Sequence, residues 1–401
     1  MFFFLKFKPS PNGRIAFLSL PEGDTLPAFP AEAMLYLQAG KQRLATFGVP
    51  GGSFLLLGDP VFSPGDALLR RIVPEPGQIR QEVLYEEVKG HYYWFYLPDT
   101  AALPMAAGNS FGAIYPVYYY TGNGEVWISS SSFTLAEKTN AGIRDKRNLL
   151  ERLLFNYPFF NSTWWEGIRL LEAHRYLALD GNGARVAGSF EVSDHFGTPD
   201  DHSRDSLPAL ADLFQKETQL FFPDVPFAVS LTGGFDGRTL VAAAKKAGRN
   251  FMAYSFGRPD STDVTMPAAQ AARLGVPYLP IYLDENYLEQ KSLDSAWDFM
   301  RLTEFNGNFG RPHYAYAARL LSEKTGYILT GNFGSELFRA MHAPGPMMSR
   351  QLIDLFAQAD HNWQKVLLQG AKPARQAQAA GPGADQRRDE AGQRAGARAA
   401  L

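Results

Sequence analysis

The 401-residue sequence contains no cysteine. That absence excludes disulfides, thiolate-bound metals and a cysteine nucleophile together. Charge of one sign is also lacking. With 39 basic against 41 acidic residues the net charge is -2, without the basic footprint that nucleic acid or an anionic membrane surface attracts. Long apolar runs are missing too. The opening MFFFLKFKPS turns polar at Lys6, too soon for the core of a secretory signal, so it reads as a core strand. No run approaches membrane-spanning length, and a cytoplasmic location is the default expectation. The seven histidines are scattered, without His-x3-His or HExxH spacing. The stretch SDHFGTPDDHSRD sets His195 and His202 among Asp194, Asp200, Asp201 and Asp205, and reads as a solvated linker in preference to a metal site.

What is present is an ordinary globular composition, 45% hydrophobic and 20% charged, in a chain long enough for two or three domains. The first two hundred residues are rich in aromatics and short strand signals. A strand is expected over Tyr92–Leu97, and β-rich runs over Ile114–Tyr120 and Glu125–Ser129 flank the turn residues Gly122-Asn123-Gly124, a hairpin signal. NLLERLLFNYPFF has helical spacing, and HRYLALDGNGARVAG reads as a second hairpin around Asp180–Gly183. The pattern changes near Ser203. An amphipathic helix is expected over Ser206–Phe222, with Leu210, Leu213 and Phe214 on one face, extended by Leu220 and Phe221. Strands FAVSLT, FMAYSFG, YLPIYL and YILTG then alternate with helices TLVAAAKKAG, MPAAQAARLG and YAYAARLLSEKTG, the pattern of a doubly wound parallel sheet. From Ala371 the chain is almost entirely Ala, Gly, Arg, Gln and Asp, which buries too little to order itself. The expected organisation is residues 1–200, 205–370 and a disordered tail over 371–401.

VSLTGGFDGRTL, at the end of an apolar run, is the stretch that carries chemistry. Thr232, Gly233 and Gly234 lack bulk, so their backbone N–H groups can approach an anion, and the helix expected from near Arg238 adds its positive end. Asp236 beside a phosphate makes sense with Mg²⁺ between them. The residues fit a second reading equally: Gly-Gly turns the chain from strand to helix and Asp236 caps it. Neither a Gly-Lys-Ser/Thr nor a G-x-G-x-x-G is present, so this is neither a P-loop nor a dinucleotide fingerprint.

SLTGGFDGR resembles the pyrophosphate loop of the ATP pyrophosphatase superfamily, and in its asparagine synthetase branch that loop follows a Leu, as Leu231 does here. AYSFGRPDSTDVTMPAAQAARLGVPY is similar to that branch's second strand and helix. YILTGNFGSELF is similar to its third motif, Gly-Glu-Gly-x-Asp-Glu-Leu-Phe. Upstream, NSFGAIYPVYYYTGNGEVWISSSSFTL resembles the class II glutamine amidotransferase domain that precedes the synthetase domain, and Asn148–Leu179 matches the linker between them. The resemblance spans residues 1 to about 370. It implies an α+β N-terminal-nucleophile-like antiparallel sandwich followed by an α/β doubly wound parallel sheet of the ATP pyrophosphatase (adenine nucleotide α hydrolase-like) type. It implies ATP and Mg²⁺: Thr232, Gly233, Gly234 and Asp236 on phosphates and metal, Leu231 with Ser255, Phe256 and Gly257 flanking adenine and ribose, Thr330 and Gly331 closing the pocket, and Asp236 and Glu336 in catalytic roles. The implied reaction is adenylation of a small-molecule or peptide carboxylate, then displacement of AMP by an amine or ammonia.

The departures are specific. The family's glutaminase nucleophile is a cysteine after the initiator Met; here that position is Phe2, so glutamine hydrolysis is not expected. The third motif's first Glu is Asn332 and its Asp is Ser335, leaving Glu336. The loop's last Ser is Gly237. The family continues well beyond this motif to a catalytic lysine, where this chain carries its Ala/Arg-rich tail, so a truncated or frame-shifted reading is expected. Three readings follow: an amide-forming ligase using free ammonia, a lactam- or macrolactam-forming synthetase of the cysteine-less branch, and an inert scaffold or nucleotide sensor. Arg301, Glu304 and Arg311 are read as surface ion-pairing residues, Trp164-Trp165 as packing between domains, and Asp260 and Asp263 either as facing the nucleotide or as part of a capped helix start.

Overall fold

Alternating aromatic and aliphatic residues in the first half build two six-stranded sheets that bury their facing sides against each other. The structure is a computed structural model that describes residues 2–8, 15–18, 32–38, 43–100, 102–142, 145–155, 158, 160–188, 190–195, 206–307, 309–332 and 334. In chain order the elements are β1 (Phe2–Lys8), β2 (Ile15–Leu18), β3 (Glu32–Gln38), β4 (Arg43–Val49), β5 (Gly52–Val61), α1 (Asp66–Ile72), α2 (Gln81–Glu87), β6 (Lys89–Pro98), β7 (Met105–Asn109), β8 (Tyr118–Gly122), β9 (Glu125–Ser129), α3 (Ser132–Thr139), α4 (Lys146–Phe155), β10 (Ile168–Leu170), β11 (Tyr176–Asp180) and β12 (Gly183–Ala187). One sheet runs β10-β8-β9-β1-β3-β2, the other β12-β11-β7-β6-β5-β4. Neighbours pair antiparallel except β2 and β3, which are parallel.

The opening FFFLKFK forms a core strand, as its short apolar run predicts. Phe3, Leu5 and Phe7 point into the inter-sheet core with Leu55, Leu57, Phe95 and Leu97. Phe4 points the other way, onto Leu135 and Ala136 of α3. The far face of the second sheet, with Phe54, Trp94 and Tyr96, is covered by Ile72, Leu84 and Tyr85 around α1 and α2. The layers are therefore helix, sheet, sheet, helix.

The two expected hairpins form with two-residue loops. Gly122 pairs with Glu125 across Asn123 (φ 54) and Gly124 (φ 72), both left-handed, as the twist of a tight hairpin requires. Asp180 pairs with Gly183 in the other. The strand expected over Ile114–Tyr120 instead begins at Tyr118. Pro116 has no N–H to donate to a ladder, and the carbonyls of Tyr115 and Pro116 accept from Asn109 Nδ2 and Tyr93 Oη.

After a 3₁₀ turn (Val192–His195), the second half comprises α5 (Ser206–Leu220), β13 (Phe227–Ser230), α6 (Phe235–Lys246), β14 (Phe251–Gly257), α7 (Thr262–Leu274), β15 (Tyr278–Tyr282), α8 (Glu285–Gln290), α9 (Ser292–Leu302), α10 (His313–Ser322) and β16 (Ile328–Leu329). The four strands are parallel in the order β15-β14-β13-β16. Val229, Leu231 and Ala253 pack on one face against Val241 and Ala244 of α6 and Ala271 of α7. Ala228, Tyr254 and Ile281 pack on the other against Ala317 and Leu321 of α10. Helices thus cover both faces, as the alternating pattern predicts.

The amphipathic α5 departs from its reading: none of its residues is buried, and Leu210 and Leu213 stay 44% and 54% exposed. The apolar stripe was legible, and it is covered in part: Phe214 is half-buried where α5 runs beside α6. Phe222, just past the helix end, does enter the core and stacks on Phe227 at 5.7 Å. Residues 1–334 form one compact unit. Among the described residues no helix is long and apolar enough to cross a membrane. The expected tail over 371–401 lies outside the described residues, as do His202, Asp200, Asp201 and Asp205. His195 stacks on Phe190 at 4.5 Å.

Candidate active site at the carboxyl end of the parallel sheet

β13 lies between β14 and β16. The chain first winds outward from β13 through β14 to β15, then returns to place β16 on the other flank. Connections therefore diverge at the carboxyl ends of β13 and β16, where open parallel sheets form a crevice for ligands. Thr232, Gly233 and Gly234 follow β13 there and are all exposed. Gly234, extended at φ -74 and ψ 163, is the N-cap of α6 and contributes no side-chain cap. The helix starts at Phe235, ahead of the start expected near Arg238. Asp236 is consequently neither in the loop nor the N-cap; it sits in the first turn, where a carboxylate is favoured by the helix's positive end. The Thr232 hydroxyl accepts the Gly234 N–H at 3.2 Å, and Arg238 Nε donates to the Gly234 carbonyl at 3.0 Å.

The residues after β16 close onto this turn. A Cβ on Gly331 would lie 2.7 Å from Asp236 Cβ and 2.9 Å from the Gly237 nitrogen, and one on Gly334 would lie 2.8 Å from Asp236 Cγ. Only glycine permits such an approach to backbone. The first and third motifs, distant in sequence, are thereby brought together around Asp236. Thr330 and Asn332 are exposed beside them; Ser335 and Glu336 lie outside the described residues.

Gly237 has a packing reason. It is buried, and a Cβ there would meet the Ser230 carbonyl oxygen at 2.5 Å. The serine that the resemblance leads one to expect does not fit this backbone. Gly237→Ser is expected to lower stability by about 2 kcal/mol through overpacking, read by urea denaturation; an unchanged midpoint would contradict the close packing.

Two residues expected to flank the nucleotide have buried side chains. Leu231 is 0% exposed and packs in the core, its N–H donating to the Tyr254 carbonyl. Ser255 is 2% exposed, and its hydroxyl is bonded to Tyr278 Oη at 2.6 Å. Both side chains are thus engaged in packing at the strand ends. Phe256 is half-buried against His313 (4.8 Å) and Tyr314 (5.4 Å), at the start of α10. The Gly257 carbonyl accepts from the Leu283 N–H. His313 and Tyr314 were not among the expected residues. Their signal is Pro312 ahead of a His-Tyr pair, which starts the helix and sets both rings at the end of β14. Asp263 lies in the first turn of α7, with Ser261 as N-cap, and Asp260 forms an exposed ion pair with Arg258, so the helix-start reading describes this segment.

Burial lowers the His313 pKa, with Arg311 adding to the effect. Burial likewise lowers those of His91 and His174, and His174 Nε2 is buried without a hydrogen-bond partner among the described residues. The unfolded chain, with ordinary values near 6.5, takes up these protons first. Stability is therefore full above that pH and is lost as pH falls through the lower folded values. The melting temperature should fall as pH drops below about 6.5, with a shallower slope in His174→Phe; a flat profile in the wild type would contradict this.

Glu304 was read as a surface ion-pairing residue, and the structure overturns that. It is 9% exposed, and its carboxylate accepts from the Ser132 N–H at 2.9 Å and the Ser132 hydroxyl at 2.6 Å, at the N-terminus of α3. Its own carbonyl accepts from Trp164 Nε1 at 3.0 Å. Arg152 stacks on Trp164 and donates to the Phe305 carbonyl and Asn306 Oδ1. Left-handed Glu304 (φ 50) and Phe305 (φ 57) turn the chain between α9 and α10 into this contact. Trp164 thus packs between the two halves as expected. Arg301 and Arg311 stay exposed, without an ion pair among the described residues.

The family model for asparagine synthase matches residues 210–398, just under half of the chain. No curated protein matches. Among solved structures, glutamine phosphoribosylpyrophosphate amidotransferase from B. subtilis, complexed with ADP and GMP, aligns with TM-score 0.25 and 10% identity over 69% of this chain and 59% of that one. An allosteric regulatory enzyme of purine biosynthesis aligns with TM-score 0.22 and 12% identity over 60% and 47%. The chain therefore spans about half to three fifths of the length of these two proteins.

Proposed function

We propose, starting from the asparagine synthase-type domain over residues 210–398, that this chain is an ATP-dependent amide-forming ligase whose parallel sheet is of the ATP pyrophosphatase type. The observation that carries the reading is the meeting of Asp236 with Gly331 and Gly334 at the divergence of β13 and β16, beside the bare Thr232–Gly234 turn at a helix N-terminus. A Cβ-free cradle with a carboxylate at its rim suits the polyphosphate of ATP. Among the described residues no three His, Asp or Glu side chains come close enough to share a metal, so Mg²⁺ would rest on Asp236 and on phosphate oxygens. When bound, that ion supplies charge neutralisation for the phosphates.

In this reading the backbone of Thr232–Gly234 holds and orients the phosphates, and Thr330 and Gly331 bound the pocket. Phe256, with His313 and Tyr314 against it, lies toward the nucleoside side. A carboxylate oxygen of the substrate bonds to the α-phosphorus as the bond to pyrophosphate breaks. An amine nitrogen then bonds to the acyl carbon as AMP leaves. With no cysteine in the sequence to act as a glutaminase nucleophile, the reading assigns the amine to ammonia or to an amine of the substrate itself.

Binding of Mg-ATP to the full chain, measured by calorimetry, tests the reading. Asp236→Ala should weaken it by at least about tenfold. Equal affinity in wild type and variant would refute the assignment of Asp236. Release of pyrophosphate with a panel of carboxylates and amines then separates a ligase from a nucleotide sensor, since a sensor would bind without turnover.

A further inference from the structure

A thioether flanks the turn on the side of α7. Gly233 is exposed, and a Cβ on it would lie 2.9 Å from Met266 Sδ and 3.9 Å from Met266 Cε. The sulfur therefore rests against bare main chain, where any other residue would carry a side chain. Met266 lies one turn into α7 and is 45% exposed. Met105 and Met300 are buried, and Met252 is half-buried on the face of the sheet that α10 covers. Among the described side chains, Met266 is thus the methionine that an oxidant in solution reaches first. A thioether is apolar and a weak acceptor, whereas its sulfoxide is polar and carries an accepting oxygen. The Gly234 N–H is held by the Thr232 hydroxyl, but the Gly233 N–H has no hydrogen-bond partner among the described residues.

We propose that Met266 is an oxidation site that governs access to the turn. A peroxide converts it to the sulfoxide, and the new oxygen accepts from the Gly233 N–H in place of a phosphate oxygen. The sulfur lone pair attacks one peroxide oxygen, the O–O bond breaks, and the other oxygen leaves as water with both peroxide protons. Sulfur is oxidised and the peroxide reduced by the same electron pair. The consequence for nucleotide rests on the ligase reading; the oxidation and its effect on Gly233 do not.

The full chain is treated with limiting hydrogen peroxide, and oxidised positions are read by peptide mass mapping. Met266 should gain oxygen before Met105, Met252 and Met300 do. In the chain labelled with 15N-glycine, the Gly233 amide resonance should move on oxidation of the wild type. It should stay in place in peroxide-treated Met266→Leu, which keeps the bulk without the sulfur. Mg-ATP affinity, measured by calorimetry, should fall about tenfold when the wild type is oxidised. It should hold in Met266→Leu under the same treatment, and return in the wild type after both methionine sulfoxide reductases have acted. Oxidation of Met266 no faster than that of the buried methionines overturns the proposal. So does a Gly233 resonance indifferent to oxidation, an unchanged affinity in the oxidised wild type, or an equal loss in Met266→Leu. An untreated wild type that binds no Mg-ATP refutes the ligase reading instead, and the mass mapping and the Gly233 resonance then still decide the site.

Discussion

In Gly331→Val, affinity for Mg-ATP should fall on the order of 100-fold, roughly 2.8 kcal/mol, while the cooperative unfolding transition survives. The reason is local. Gly331 follows a two-residue edge strand, β16, and is only half-buried, so no core packing depends on it. Its α-carbon nevertheless faces Asp236 so closely that a Cβ would lie 2.7 Å from Asp236 Cβ and 2.8 Å from Asp236 carbonyl carbon. Both belong to the first turn of α6, which has little room to yield. A valine must push the third motif and the turn apart, moving Asp236 relative to the Thr232–Gly234 backbone. Gly331→Ala should give a smaller loss in the same direction. Wild-type affinity in Gly331→Val would show that the two motifs act independently. Melting curves guard against reading a collapsed fold as a lost site.

Glu304→Ala should be the most destabilising single change outside the cores, costing about 3 kcal/mol in urea denaturation. Its carboxylate takes both the backbone N–H and the hydroxyl of Ser132, in a contact that water hardly reaches. Truncation leaves these donors buried and unsatisfied, and removes a negative charge from the positive end of α3. Glu304→Gln should recover part of the loss. Ser132→Ala should be strongly non-additive with Glu304→Ala, because both remove one bond network. Additive effects would mean that the carboxylate is not what holds the two halves together.

Much of the scaffold was readable because it rests on local rules. Asn123-Gly124 supplies two left-handed residues, and so a hairpin. The near-continuous apolar run of FFFLKFK marks a strand buried on both sides. The β–α alternation after Ser206 specifies a parallel sheet, and its glycines mark where the chain must turn tightly. What was not readable rests on distant partners. Nothing near Glu304 in sequence announces that it will cap α3, whose own first turn carries no acid. The stripe on α5 announces an apolar face but not what covers it. Gly237 looked like a lost hydroxyl. Its cause is the Ser230 carbonyl, which only the fold of the strand-to-helix turn brings against it. Of the candidate site, the loop and Gly331 were legible as motif residues, whereas Gly334, whose close approach to Asp236 only the fold shows, was not. The engagement of Ser255 by Tyr278, and of Phe256 by His313 and Tyr314, depends on which elements flank β14 in the sheet and so was not.

The Thr232 hydroxyl has a consequence for occupancy of the turn. It already holds the Gly234 N–H, so any incoming anion competes with a tenant. Capture of that amide exchanges one hydrogen bond for another, and the exchange requires a β-branched side chain with few rotamers to swing aside. Thr232→Ala, by vacating the amide, would leave it ready for a phosphate oxygen. Under the proposed polyphosphate reading the threonine raises the threshold for occupancy, and Thr232→Ala should tighten Mg-ATP binding in calorimetry.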